Sequence, residues 1–469
     1  MKTLLTTTLL LGLGAALAVP PHAAAAAPRE ARLAPVLYVS PTGDDSAAGT
    51  PAEPLRTPQV AVDRVPDGGT VYLLPGTYHR QRILLEHRHD VTVAATRTRR
   101  AVLNATGLTP RLDDSGVVEI RDSTGVTVRG LDIRGYRTTS LRRVPIGIYV
   151  TDHDQGVVLQ SNHVHRLGND NGTLGSFDIN AHGIAVYGRD PRRPISDLRI
   201  VGNEVDHLHL GASESVVVNG NVKDWAILRN RIHDNDNIGI DAIGWEPTIT
   251  GRHRYTHVNR ARDGVIAGNH ISRIISQGNP AYWENGSWCN CADGIYVDGG
   301  TQISVRRNVV RRSDIGIEAG AENPRGHTNG VVIAHNDVSG SRYVGLALGG
   351  YSPSRGDVSD VRVRHNHFRN DNTDNDGSPE LLLQFKVHRT SLLDNTVVAT
   401  HRQRPLLLQR VRMVGTPAEN RGVRIDGNSY RSPVPAPRAE FIWLGHDIRG
   451  FARYRAASEQ DRHSTCHQG

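Results

Sequence analysis

Three carboxylates stand at matching places in three short apolar stretches. They are Asp241 in NIGIDAIG, Asp298 in DGIYVDGG and Glu318 in IGIEAG. A carboxylate inside an apolar run is costly if it faces a core, so each is expected to point outward. Asp293 opens the second stretch, Glu214 precedes another of the same kind, and Glu322 follows the third. On stacked strands ~4.8 Å apart, with alternate residues ~6.6 Å apart, Asp241, Asp298 and Glu318 form a triangle with backbone spacings of roughly 8–10 Å. Charges ~8 Å apart repel by ~2 kcal/mol at an effective dielectric of ~20. Such a cluster needs arginines, a cation or a shared proton, and an arginine-paired surface network is the plain alternative to a functional site.

Two chemistries suit this spacing. In glycoside hydrolysis one carboxyl is the acid and another the base, and inverting enzymes hold them ~6.5–9.5 Å apart to admit water. Asp241 with Asp298, or Asp298 with Glu318, would be the pair. In β-elimination from a uronate polymer, calcium held by acids such as Asp241, Asp293 and Asp298 withdraws charge from the substrate carboxylate. A basic side chain then takes the neighbouring proton. Beyond the leader the chain has two lysines, Lys223 and Lys386, and a lysine can serve as a neutral base where an arginine hardly can. Lys223 falls one repeat before Asp241 and is the candidate base. Trp245, Tyr282, Trp283 and Trp288, with the outward Asn219 and Tyr296, are candidate sugar contacts, because aromatic faces stack on sugar rings. His207, His209 and His233 read as structural bend residues.

The elements that must position these groups come from a repeat. VVLQSNHVHR, LRIVGNEVDH, WAILRNRIHD, GVIAGNHISR, ISVRRNVVRR, VVIAHNDVSG and VRVRHNHFRN share one pattern of alternating apolar residues followed by Asn. The Asn recurs at 162, 203, 230, 269, 308, 336 and 366, with weaker copies at Asn395 and Asn428. Alternation with period two means strand. Parallel stacking of such units pairs every edge, and a repeated Asn at a bend can form an amide ladder. The expected fold is all-β, a right-handed parallel β-helix of about 10–12 coils. Three intervals between asparagines are long: 162 to 203, 230 to 269 and 269 to 308. They hold insertions at 168–181, 189–196, 245–263 and 276–292, and loops on a rigid scaffold are where binding usually sits.

The opening LYVSPTGDDSAAGTPAEPLRTPQVAVDRVPDGGTVYLLPGTY resembles that of the pectate-lyase-like superfamily of secreted β-helix proteins. The resemblance covers essentially the whole chain after the leader. It implies a short capping helix near Thr57–Val65 within an N-terminal cap of about 36–80. It also implies a C-terminal capping segment of about 432–469 containing FARYRAASEQDRHS. In style the chain is similar to the calcium-dependent family-nine pectate lyases. This implies Ca2+, the carboxylate cluster and Lys223 as base, although here Asp241, Asp293 and Asp298 spread over two coils.

Residues 1–27 have the pattern of a secretory signal peptide, leaving 28–469 as one domain, exported, without a membrane span and expected to be a monomer. A net charge of +7 suits an anionic polymer or a merely solvated arginine-rich surface, and no nucleic-acid motif appears. Of Cys289, Cys291 and Cys466, a bridge from the Cys289/Cys291 loop to Cys466 is expected. The expected activity is cleavage of a polysaccharide, with elimination narrowly ahead of hydrolysis and non-catalytic glycan binding third.

Overall fold

In the computed structural model, which describes residues 34–401, 404–414 and 422–469, aliphatic side chains stack coil upon coil. One interior column runs Val71, Val93, Val128, Leu159, Ile200, Ile227, Ile266, Val305, Ile333, Val363, Leu392 and Ile425. Each is in register with the next. All are buried. One long 17-stranded sheet and two 13-stranded sheets, parallel apart from one antiparallel end strand, form the walls of this β-helix. Burying every second side chain while pairing both edges of each strand explains why residues 35–469 form one unit. The leader lies outside the described residues. Among those described, no helix is long and apolar enough to cross a membrane.

The asparagine ladder is continuous. Asn162 accepts from Leu131 N, and from Asn203 to Asn428 each Asn accepts from the backbone N–H and the side-chain amide of the Asn one coil earlier. Asn269 Oδ1 does so from Asn230 N at 2.9 Å and Asn230 Nδ2 at 3.0 Å. Its own Nδ2 donates to Ile227 O and Asn308 Oδ1, both at 3.0 Å. All four partners are buried, and a buried polar group left unpaired costs about 1–3 kcal/mol. Asn269→Ala is therefore expected to lower unfolding free energy by about 4 kcal/mol in a urea titration. A loss below about 1 kcal/mol would mean that neighbouring amides re-pair without it.

Both ends are closed. Helix α1, Pro58–Arg64, begins after Thr57 and ends at Val65, as the opening motif implies. Its Gln59 accepts from Leu84 N at 2.7 Å and donates to Leu84 O at 3.1 Å, satisfying an open strand edge. At the other end helix α2, Phe451–Ser458, stacks Tyr454 on Phe441 with ring centroids 4.2 Å apart. Buried Asp461 ends the ladder, accepting from Asn428 Nδ2, Tyr430 and Tyr454. The cysteines differ from expectation. Cys289 and Cys291 bond to each other and Cys466 is a free thiol, because Cys466 lies on the terminal strand paired with Ser429–Ser432, many coils from the loop.

Candidate active site

One 13-stranded sheet carries the acids. Its strands include His182–Gly188, Val216–Gly220, Ile240–Ile243, Asp293–Asp298 and Ile315–Gly320. Register aligns Ala185, Val217, Asp241, Tyr296 and Glu318 in one outward column. Tyr187 and Asn219 pair in a second, with Asp298 opposite Gly320 further along. A third outward position exists because Gly and the following Ile both face inward. A Cβ on Gly183, Gly294 or Gly316 would lie 2.6, 2.4 or 2.3 Å from Val205, Val310 or Val338 of the neighbouring sheet. Only glycine fits that approach, and the residue before it turns outward. This places His182 and Asp293 on the acid face.

The acids lie on the floor of a cavity rather than on an open wall, which corrects the expected exposed face. Asp241, Asp298 and Glu318 are 2, 6 and 6% exposed. They line a cavity of about 1010 Å³ roofed by the long loops. The 168–181 loop contributes Phe177 and Asn180, the 245–263 loop Glu246, Pro247 and Thr248, and the 276–292 loop Tyr282, Glu284 and Cys291. Both ends of the last loop are tied to buried Asp314. Its Oδ2 accepts from Ser276 N at 2.8 Å, Ser276 Oγ at 2.5 Å and Ala292 N at 3.2 Å. Asn279 adds bonds to Gly211 O and Asp236 O.

At one end of the cavity the carboxyls crowd. Burial, then Glu214 and Asp298, hold the Asp241 carboxyl well above the usual range. Burial, then Glu318 and Glu322, do the same for Asp293. Burial and Glu322 raise Asp298, against a bond its Oδ1 accepts from Glu322 N at 2.7 Å. Glu318 is pushed up to about 8 by burial and Glu322, while a hydrogen bond with Asp293 favours its ionised form. Asp241 Oδ1 and Asp293 Oδ1 are buried without a hydrogen-bond partner. Among the described residues, no lysine lines the cavity. Burial and mutual repulsion thus favour the protonated forms of these carboxyls, and a nearby cation would oppose that.

The other end holds a relay that sequence reasoning missed. The Tyr187 hydroxyl is 2.9 Å from His182 Nε2. His182 Nδ1 lies 3.2 Å from Glu214 O and 3.3 Å from Glu214 Oε2. Arg189 sits 5.6 Å from the Tyr187 ring and is anchored by Asp114. A signal existed: His182 and Tyr187 are both in HGIAVY, the equivalent of the acid strands two coils earlier.

The structure brings together Asp241, Asp293, Asp298, Glu318, Asn219, Tyr282 and Tyr296. It does not bring Lys223, which belongs to the 17-stranded sheet, is half-exposed and pairs with Asp224. Lys386 is likewise occupied, donating to Arg355 O at 2.6 Å. Trp245 is buried and structural, its Nε1 directed at Gly299 O and His327 O, each 3.2 Å away. Trp283 and Trp288 pair with each other across a small hairpin, centroids 4.7 Å apart, outside the cavity lining. The exposed aromatics at the cavity are instead Phe177 and Tyr351, 56 and 51% exposed. Phe177 lay within a flagged insertion but was not singled out.

Fold and site thus define a parallel β-helix protein with a loop-roofed acidic cavity on one sheet. The chain belongs to the family of the uncharacterized protein YwoF of Bacillus subtilis (strain 168). It is 32% identical to that protein over 435 residues, covering 91% of this chain and 86% of the relative. A 46-residue stretch is 54% identical to pectate lyase PEL9 of Emericella nidulans, 10% of this chain and 11% of that protein. No family model matches. Among solved structures, a GH136 lacto-N-biosidase from Eubacterium ramulus is similar with TM-score 0.53 and 12% identity, over 92% of this chain and 68% of that one. The periplasmic alginate epimerase AlgG is similar with TM-score 0.51 and 13% identity, over 78% of this chain and 81% of that one. At such identities the likeness is one of fold.

Proposed function

We propose that the protein is a carbohydrate-active enzyme that hydrolyses glycosidic bonds in a polysaccharide within the acidic cavity. The observation that carries this is a set of buried carboxyls around one loop-lined space, where burial and mutual repulsion favour the protonated form. A carboxyl that keeps its proton at neutral pH can deliver it to a leaving oxygen. Asp298 is the acid. Its Oδ1 is fixed by the Glu322 N–H, which leaves Oδ2 to hold the proton. Glu318 is the base: the bond from Asp293 favours its ionised form, and it takes a proton from the attacking water. Tyr296, between Asp241 and Glu318 in the column, forms the floor, and Phe177 and Tyr351 offer ring faces at the rim. The polysaccharide-active neighbours in the structure comparison and the pectate-lyase stretch agree with a glycan substrate.

Elimination is the second reading, favoured by the unpartnered oxygens of Asp241 and Asp293. Asp241, Asp293 and Asp298 offer the oxygens calcium takes, but no choice of one oxygen from each brings all three within 4.8 Å of one another, so the expected ion site is not preformed. Bound there, the ion would neutralise a substrate carboxylate. With Lys223 outside the cavity, the proton-abstracting group would be Tyr187, backed by His182 and Glu214. Digesting a panel of neutral and acidic glycans with and without chelator separates the two. Ordinary reducing ends formed in chelator support hydrolysis. Unsaturated, ultraviolet-absorbing ends that vanish in chelator overturn it in favour of elimination, and no product from any glycan leaves binding alone.

A further inference from the structure

A second cluster lies on the other 13-stranded sheet, away from the acidic cavity. Asp132, on Leu131–Arg134, is in register with His163 on the next strand, His163–His165. His163 and His165 are two residues apart and face the same way, their rings stacked 3.9 Å apart at 7°. Asp132 Oδ1 is 3.1 Å from His165 Nε2, and its Oδ2 is 3.6 Å from His163 Nδ1. One ligand atom from each residue can be chosen so that all three lie within 4.8 Å of one another. Donors ~2.0–2.1 Å from a tetrahedral zinc ion are ~3.3 Å from each other, so these separations bracket the requirement.

The far side of His163 matters as much. Its Nε2 is 2.5 Å from Asp206 Oδ1 on the following coil. When Nε2 donates its hydrogen bond to Asp206, Nδ1 is the nitrogen left to bind an ion, 3.6 Å from Asp132 Oδ2. Metal-binding histidines are commonly oriented by such a carboxylate on the other ring nitrogen. An overlapping group, His163 with Glu204 and Asp206, is a poorer site. Glu204 already serves Arg99, Arg231 and His233, and Asp206 also serves His207. Asp132 and His165 are 9 and 6% exposed, while His163 is only half-buried and leaves a way in.

We propose that Asp132, His163 and His165 form a binding site for a zinc-like divalent cation, with Asp206 orienting His163 and the remaining position open to water. Two nitrogens and one carboxylate oxygen suit a borderline ion rather than calcium, which takes oxygen ligands. The site joins successive coils on a sheet that does not line the cavity, so its role is distinct from the acidic cluster.

The test is zinc titration of the untagged full chain by calorimetry, with cobalt uptake followed by its visible spectrum. The expected result is one ion per chain, with affinity reduced at least tenfold in Asp132→Asn and in His165→Gln. Asp206→Asn should weaken binding about tenfold through orientation alone. His335→Ala, which alters an exposed stacked pair with His365, should bind as the parent does. Melting curves establish that each variant is folded, and Asp132→Asn, nearly isosteric, keeps the test valid if His165→Gln is not. Absence of saturable uptake by the parent, or equal uptake by folded Asp132→Asn, would overturn the site.

Discussion

Replacing Asp298 by asparagine is expected to lower turnover by about a thousandfold, the scale on which a lost general acid acts, while leaving the melting temperature unchanged or higher. The amide oxygen can still accept from the Glu322 N–H, so the local backbone geometry is kept. What disappears is the transferable proton. Stability should not suffer, because Asp298 is buried beside Glu322, Glu246 and Glu318, and a neutral amide there meets no repulsion. A role in packing alone predicts the opposite pattern, with activity kept and the melting temperature lowered. Initial rates on a cleaved glycan, paired with thermal melts of the same preparations, decide between them.

Glu318 gives the second large effect, with a pH signature of two opposite signs. Its carboxyl moves from an ordinary 4.5 to about 8 on folding, driven by burial and Glu322. Asp293, Asp298, Tyr296 and Tyr343 are the other titratable groups around it. A carboxyl with a raised folded pKa binds more protons folded than unfolded, so stability falls as pH rises from about 4.5 to about 8. Activity should rise over the upper part of that range, because the base must lose its proton to act on water. Glu318→Gln should abolish activity and flatten the stability slope together, both measured in chelator so that no cation replaces the protons. A variant that loses activity but keeps the slope would assign the titration to Asp241, Asp293 or Asp298. Calcium added to the parent at pH 8 should raise its melting temperature if the three aspartates take the ion.

How much of this was legible in the sequence differs between fold and site. The coil repeat, the ladder asparagines and the capping helix at Thr57–Val65 follow from local periodicity and an opening motif, and each stands where the sequence places it. The outward alignment of Asp241, Tyr296 and Glu318 also follows, because side-chain direction on a strand is fixed by counting. Counting fails where the chain departs from alternation. At Gly183 and Gly294 two successive residues face inward, so His182 and Asp293 reach the site by a route the period-two rule does not contain. Trp245 illustrates the other limit. An indole in a long loop looks like a sugar platform, yet its N–H is directed at two carbonyls on the next two coils, far away in sequence, which only the tertiary fold brings near. Burial was misjudged for a related reason. The strand face points outward, but loops from three coils close over it, and loop paths leave no periodic trace in sequence.

The most direct measurement is digestion of a cleaved glycan in water labelled with heavy oxygen, followed by mass analysis of the new ends. Hydrolysis at Asp298 and Glu318 predicts one labelled oxygen in every product pair from the parent, and none formed by Asp298→Asn. Products that carry no label and have lost a water's mass would contradict it, because elimination breaks the bond without consuming solvent.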